Sequence, residues 1–487
     1  MPARSTLVRI GGRAGRGVLG LVGIAVVVAV GAASTLVTLP TVENEPRSSE
    51  IVPLPSEQQR VCPGPLLTLA EDSTQAQSAS SVGSAAAVYG AIDAAGSDFD
   101  QIRPDVTEIS AVDDSSSRQP PLLLTVPVQD GATVPPLVAG SQSQVVGTDT
   151  LGGFAVASCT EAASESWLVG GSTDIGGSSL LLLSNPSTVL ATVDVTVYGE
   201  SGIVDAPGAS GILVQPGEQR VISLAGLAPN LKSPVVLVSS RGGQVAAALE
   251  QSSIRGIEPG GVEIIGATAT PALNQTIAGV RVTSAVAADT VTTGEGFNAD
   301  TPSIRVFVPG TEAATVQIGV TSADGAADGT STQVEIEPGV ATEIPLSPLT
   351  VGSFSVKLRS DQPIVAAART SSEGADGRDF GWFAASAPLE GSFTVAVAEG
   401  PSPTLHLVNG AAADASLTLT PDGGTPVDLR VDAGASATVP VVSGVRYVVS
   451  GGEQLFALVD YSGDGALSSF ALNPPGPLAS GIRVYTH

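Results

Sequence analysis

The residues of this chain suited to chemistry are few: two histidines, two cysteines, and aspartates that lie close to aromatic residues. His487 is the last residue. His406 stands between Leu405 and Leu407 on an alternating stretch, which predicts an ordinary surface histidine facing solvent opposite a core face. Without a second usable imidazole, a Ser-His-Asp or Cys-His arrangement is hard to build. No Gly-x-Ser-x-Gly elbow, His-Glu-x-x-His or Cys-x-x-Cys pattern occurs. Two suitably spaced carboxylates are enough for a glycosidase. Asp376 and Asp379 beside Trp382 form the best such cluster and the one candidate ligand surface; Asp460, Tyr461 and Asp464 are similar. The competing reading is solvated turn aspartates in an acidic, loop-rich chain.

Other ligand classes fare worse. Asp324 and Asp328, like Asp376 and Asp379, sit in glycine-rich loops, but neither loop fits the Asp-x-Asp-x-Asp-Gly calcium pattern. No metal and no cofactor is expected. Sugar-binding sandwiches present exposed aromatic platforms, and the candidates here are Trp167, Trp382, Phe380, Phe383 and Tyr461. Trp167 follows the second cysteine closely and is expected to pack on the bridge or the first core, and Gly381-Trp382-Phe383 is expected in the core. Gly170-Gly171 and Gly260-Gly261 precede no helix, so they read as turn glycines and not as a phosphate cradle.

The elements that must position these residues are strands. Charged residues make up 14% of the chain and apolar ones 43%, which excludes a disordered chain. With 3% aromatics the cores must be built from Val, Leu, Ile and Ala, and 57 Gly and 35 Pro supply turns. Three related segments follow one another. Their opening pairs are Leu180–Pro186 with Ala191–Val197, Ile304–Gly310 with Ala314–Ile318, and Leu405–Gly410 with Ala415–Leu419. A strand, tight turn, strand follows in each, at Pro216-Gly217, Pro338-Gly339 and Gly434. A closing strand is then read at Pro271–Val280, Pro388–Val395 and Pro477–Val484. Alternation puts Val193, Val195 and Val197 on a core face and Thr192, Asp194 and Thr196 outside. About seven short strands per copy indicate tandem immunoglobulin-like β-sandwiches arranged as beads, with a propeller as the competing architecture.

Residues Val18–Leu39 form an uncharged, mostly apolar run of 22 residues behind Arg4, Arg9, Arg13 and Arg16. As a helix it spans a bilayer core of roughly 30 Å, and the arginines keep their side cytoplasmic. Val30-Gly31-Ala32 leaves a cleaved signal peptide open as the other reading. Either way the bulk of the chain is extracytoplasmic. There Cys62 and Cys159 are expected to pair, closing a loop of about 97 residues worth roughly 4–5 kcal/mol in the chain-entropy model. The net charge of −26 disfavours nucleic acid as a partner.

The chain resembles an actinobacterial single-anchor extracytoplasmic protein family of unknown function. The resemblance rests on the N-terminal anchor, Cys62-Pro63-Gly64-Pro65, Ala157-Ser158-Cys159, Trp167–Gly171, the Leu181–Pro186 strand and Gln244–Ala247. It implies location and architecture and assigns no activity. The resulting expectation is an all-β chain with six parts. These are a cytoplasmic arm and transmembrane anchor (1–40), a stalk (41–61), a disulfide-bearing β module (62–175) and three sandwiches (176–285, 286–398 and 399–487). The expected role is non-enzymatic: a membrane-anchored envelope protein that presents sandwich surfaces to an envelope protein or wall polysaccharide. The alternative is a carbohydrate-binding or carbohydrate-hydrolysing envelope protein.

Overall fold

The computed structural model describes residues 48–51, 56–69, 79–94, 96, 98–116, 118–284, 301–323, 329–346, 349–375, 377–474 and 482–485. The expected anchor at 18–39, Asp324, Asp328, Asp376 and His487 lie outside them. Among the described residues no helix is long and apolar enough to cross a membrane. The only helix there is the single turn Leu224–Leu227, and the architecture is all-β.

Two compact units are present. In the smaller, Ser48–Ile51 pairs antiparallel with Ile482–Tyr485. The stretch read as a stalk therefore contains a strand, and Gln58–Cys62, at its far end, is another. The larger unit, Pro53–Ser480, holds everything else.

Within the larger unit the strands fall into four groups. In the first, Ala86–Ile92, Leu137–Gly147 and Gly152–Ser158 form one sheet and Gln58–Cys62, Leu122–Val126 and Asp105–Glu108 another. In the second, Glu165–Val169, Val235–Gly242 and Ala191–Gly199 run side by side; a separate sheet orders Glu258–Ile265, Ala246–Arg255, Gly177–Ser184 and Glu218–Ser223. The third and fourth groups repeat this order, with one difference. The two sheets share a single long strand, Gly352–Gly374 in the third and Arg446–Gly463 in the fourth. The first half of Gly352–Gly374 pairs with Ala272–Val282 and Ala314–Ser322, and its second half with Ser303–Phe307 and Gly377–Ala384.

Local chemistry explains the repeat. Val193 and Val197 are fully buried and Val195 nearly so, while the intervening Thr192, Asp194 and Thr196 are half-buried, as period-2 alternation requires. The turn glycines Gly217, Gly339 and Gly434 have φ of +70°, +73° and +72°, a region only glycine enters without strain. Asn185 and Asn409, both fully buried, close the same turn in the second and fourth groups. Asn185 Nδ2 donates to the carbonyls of Val189 and Val214, and Asn409 Nδ2 to those of Ala413 and Val431.

Two expectations need correction. The stretches at Pro271 and Pro388 open the group that follows them. Ala272–Val282 pairs with Gly352–Gly374, and Leu389–Ala396 with Arg446–Gly463. Nor are the groups separate beads. The core of the second group takes in Phe307, Val365, Phe380 and Trp382 from the third. The core of the third takes in Val408, Leu458 and Leu467 from the fourth, and that of the fourth takes in Phe154 and Val156 from the first. Leu66, Val146, Ala155 and Ala157 of the first join Val262 and Ile264 of the second. The four groups thus close a ring. At its centre the last strands of the groups meet: Gly152–Ser158 touches Glu258–Ile265 and Ala466–Leu472, and Gly377–Ala384 touches the latter two.

Candidate functional site

The ring centre is where chemistry-bearing side chains converge. Gly153 and Gly261 carry no side chain there, and their φ of +142° and +118° lie where glycine is favoured. A Cβ at either would stand 2.8 Å from Asp379 Oδ1. Asp379 fills that space from the third group. Its Oδ1 accepts from the Val262 and Phe380 N–H, both at 3.0 Å, and its Oδ2 accepts from the N–H of Phe154 at 2.8 Å and Leu467 at 3.3 Å. One carboxylate therefore holds a backbone donor from each of the four central strands. Burial nevertheless pushes its pKa well above the ordinary range, against the pull of those four donors.

A second carboxylate lies on the adjoining strand. Glu263 Oε1 accepts from the Ile264 N–H at 3.1 Å and from the Ser468 hydroxyl, and Oε2 from the Trp382 N–H at 3.2 Å. Ser468 Oγ in turn accepts from the Val156 N–H at 2.8 Å. Burial first, then the neighbouring Asp379 charge, raise the Glu263 pKa well above normal. Trp382 is pinned beside them: its Nε1 donates to Gln251 Oε1 at 2.8 Å and the Arg305 guanidinium stacks 4.6 Å from its ring centroid. Further along the same strands a mostly apolar cleft is lined by Ala157, Ile264, Ala267, Trp382, Phe470 and Asn473.

Two further charged sites sit where groups meet. Arg305, 3% exposed, pairs through Nε with Glu343 Oε2 at 2.8 Å, and Nη1 donates to the carbonyls of Gly171 and Pro234. Burial raises the Glu343 pKa, but Arg305, Ser303 and Arg369 together outweigh it and hold the group below its ordinary value. His406 pairs through Nε2 with Asp460 Oδ1, both essentially inaccessible.

The sequence-predicted residues are placed as follows. Cys62 and Cys159 form the disulfide, and Leu124 packs beside it. Asp379 and Trp382 are 1% and 3% exposed, because the last strands of the other groups pack against theirs; Trp382 also lines the cleft. His406 does not face solvent, because Gly279 of the third group lies against its ring, where a Cβ would come within 2.4 Å of Cγ. Asp460 and Tyr461 are likewise buried. Asp464 accepts from the Ala375 N–H at 2.9 Å. Trp167 packs in the second group's core, with Phe307 at 5.7 Å between ring centroids. Gly261 is a close-approach glycine. Glu263, Ser468, Arg305 and Glu343 were not singled out from the sequence. A usable signal existed for Glu263 and Arg305: each is a lone charge inside an apolar strand, Val262-Glu263-Ile264-Ile265 and Ile304-Arg305-Val306-Phe307. Among the described residues no three His, Cys, Asp or Glu side chains are grouped to hold a metal ion.

A family model described as a family of unknown function, DUF5719, matches residues 111–443, more than half of the chain. The chain belongs to DUF5719. The matched segment of this DUF5719 member contains Glu263, Arg305, Glu343 and Asp379, whereas Asp460 and Ser468 lie beyond it. No curated protein matches. Among solved structures, a Thermotoga maritima protein is similar at 15% identity over 23% of this chain and 92% of its own, with a TM-score of 0.19.

Proposed function

We propose that this chain is a non-enzymatic, membrane-anchored structural or binding protein of the cell envelope. In this reading Val18–Leu39 is the anchor, and the strand groups are immunoglobulin-like sandwiches outside the membrane, presented to an envelope protein or wall polysaccharide. The observation that carries the reading is the use made of the best catalytic candidates. Asp379, Glu263 and Trp382 are buried and occupied by hydrogen bonds that join one strand group to another. A retaining or inverting glycosidase instead needs two carboxylates flanking an accessible bond. That weighs against the carbohydrate-hydrolysing alternative. The Cys62–Cys159 bridge supports an oxidising exterior.

Two measurements test this. Alkaline phosphatase fused to the C-terminus should be active in intact cells, and a cytosol-only reporter fused there should be silent; the reverse pattern overturns the placement. The full chain, purified and incubated with labelled wall polysaccharide, should release no new reducing ends. Release that stops in a Glu263→Gln or Asp379→Asn variant of unchanged stability would overturn the non-enzymatic reading.

A further inference from the structure

Four backbone N–H groups from four separate strands point at one carboxylate, and this carries an inference about binding. The donors are Phe154, Val262, Phe380 and Leu467, two to each oxygen of Asp379 at 2.8–3.3 Å. Among the described residues every hydrogen-bond donor to this carboxylate is a backbone amide. Converging amides of this kind make a concave anion site whose charge complement comes from peptide dipoles. The cradle is also sized for one small group. Gly153 and Gly261 leave no side chain, and a Cβ on either would press on Asp379 Oδ1 at 2.8 Å. The amides are fixed by their own sheets, since Phe154 is registered on Val145, Phe380 on Ser371 and Leu467 on Ser462.

We propose that the ring centre is a preformed carboxylate receptor occupied by the chain's own Asp379, and that it takes a free small monocarboxylate when that side chain is cut back. Asp379 is then a tethered ligand. It closes the ring by holding Gly152–Ser158 and Ala466–Leu472, from the first and fourth groups, to one point between the second and third. The ligand class follows from the donor set: a planar anion with two oxygens, each able to accept two N–H bonds, and with no bulk behind its carbon. Formate matches the group that Asp379→Ala removes, and acetate the group that Asp379→Gly removes.

The test compares the full-length wild-type chain with Asp379→Ala, Asp379→Gly and Asp379→Asn. The readouts are the denaturation midpoint and the refolding yield from denaturant, each titrated with sodium formate, sodium acetate or sodium chloride. Asp379→Ala should have a lowered midpoint that formate raises saturably. Asp379→Gly should respond more to acetate than to formate. Wild type and Asp379→Asn should respond to neither anion, because an amide already fills the cradle. A variant too unstable to purify natively is read by refolding yield, in which formate or acetate should restore soluble, disulfide-bonded protein. Equal responses to all three salts, or equal responses in wild type, would reduce the effect to general salt stabilisation and overturn the proposal. So would the absence of any response in both cut-back variants.

Discussion

Glu343 and Glu250 are both glutamates withdrawn from water on strands of this ring, and they are answered in opposite ways. Glu343 faces a guanidinium: Arg305 Nε lies 2.8 Å away, with the Ser303 hydroxyl at 2.6 Å. Among the described residues Glu250 has only the Leu67 N–H, at 2.9 Å on Oε1, while its buried Oε2 has no hydrogen-bond partner there. Their pKa values part accordingly, Glu343 falling below its ordinary value and Glu250 rising to about 8, chiefly through burial. Glu263 and Asp379 belong with Glu250: amides and one hydroxyl oppose their burial but do not overcome it. A cation beside a buried acid outweighs the cost of burial and favours the ion, whereas at Glu250, with its single amide donor, burial prevails and the protonated form is favoured.

The difference is broken most severely at Arg305. Arg305→Met keeps much of the stem but leaves Glu343 charged and buried, and it strips the donors from the Gly171 and Pro234 carbonyls. Removing one partner of a buried pair costs about 3–5 kcal/mol. Denaturant unfolding at pH 7 should show a loss of that size, and the double change Arg305→Met with Glu343→Leu should recover most of it. A single-variant loss below about 1 kcal/mol would mean that the pair is not buried as described.

The next effect is one of sign. A raised pKa means the folded state holds the proton more tightly than the unfolded state. The stabilising contribution is therefore complete below the unfolded value and is lost as pH rises through the folded one. For Glu250 that window runs from its ordinary 4.5 to about 8. Glu250→Gln cannot ionise, so it should be more stable than wild type near pH 8, by on the order of 4 kcal/mol, with the advantage nearly gone by pH 4.5. Glu343 runs the other way. Its lowered pKa contributes stability above the ordinary glutamate value, lost as pH falls through the folded one, so Glu343→Gln should lose stability at neutral pH and converge with wild type in acid. Parallel pH profiles for the two variants would remove the distinction between them.

How much of this was legible beforehand depends on what reads out along one strand. The alternation of Val193, Val195 and Val197 is a local signal, and the burial follows it. The Cys62–Cys159 bridge follows from two cysteines with no third to compete. The covering of a strand's second face leaves a weaker trace. Leu405-His406-Leu407 has the pattern of a half-exposed strand, so His406 was expected outside, yet the third group's Gly279 lies against it. Leu182, Arg305 and His406 all occupy the outward face of the equivalent strand and are all buried, against Leu67 and Ala79, the Gly171 and Pro234 carbonyls, and Gly279 respectively. Three chemically unlike side chains share one environment because each meets a different neighbour. That neighbour is fixed by ring closure, a property of the whole chain that no single strand encodes. Asp379 stands out in the sequence beside Trp382, but an aspartate two residues from a glycine turn resembles a solvated loop acid until three other strands are brought to it.

The smallest effect separates the two kinds of acid most finely, through their hydroxyl donors. Ser303→Ala deletes a donor to a carboxylate that carries charge, and a hydrogen bond to a charged group is worth about 1.5–3 kcal/mol. Ser468→Ala deletes a donor to Glu263 and also strands the Val156 amide that Ser468 Oγ accepts from, joining the first group to the fourth. Its cost should be about 1–3 kcal/mol, set mainly by the buried amide left unpaired. At neutral pH the two losses can be similar in size, so the pH dependence is the measurement that decides. The Ser303→Ala loss should shrink as acid protonates Glu343, because the charge that strengthened the bond is gone. The Ser468→Ala loss should change less over the same range, since burial holds the Glu263 pKa well above its ordinary value and the stranded amide is indifferent to pH. If both losses shrink together in acid, Glu263 is ionised at neutral pH, and the amides and hydroxyl around it do the work that Arg305 does for Glu343.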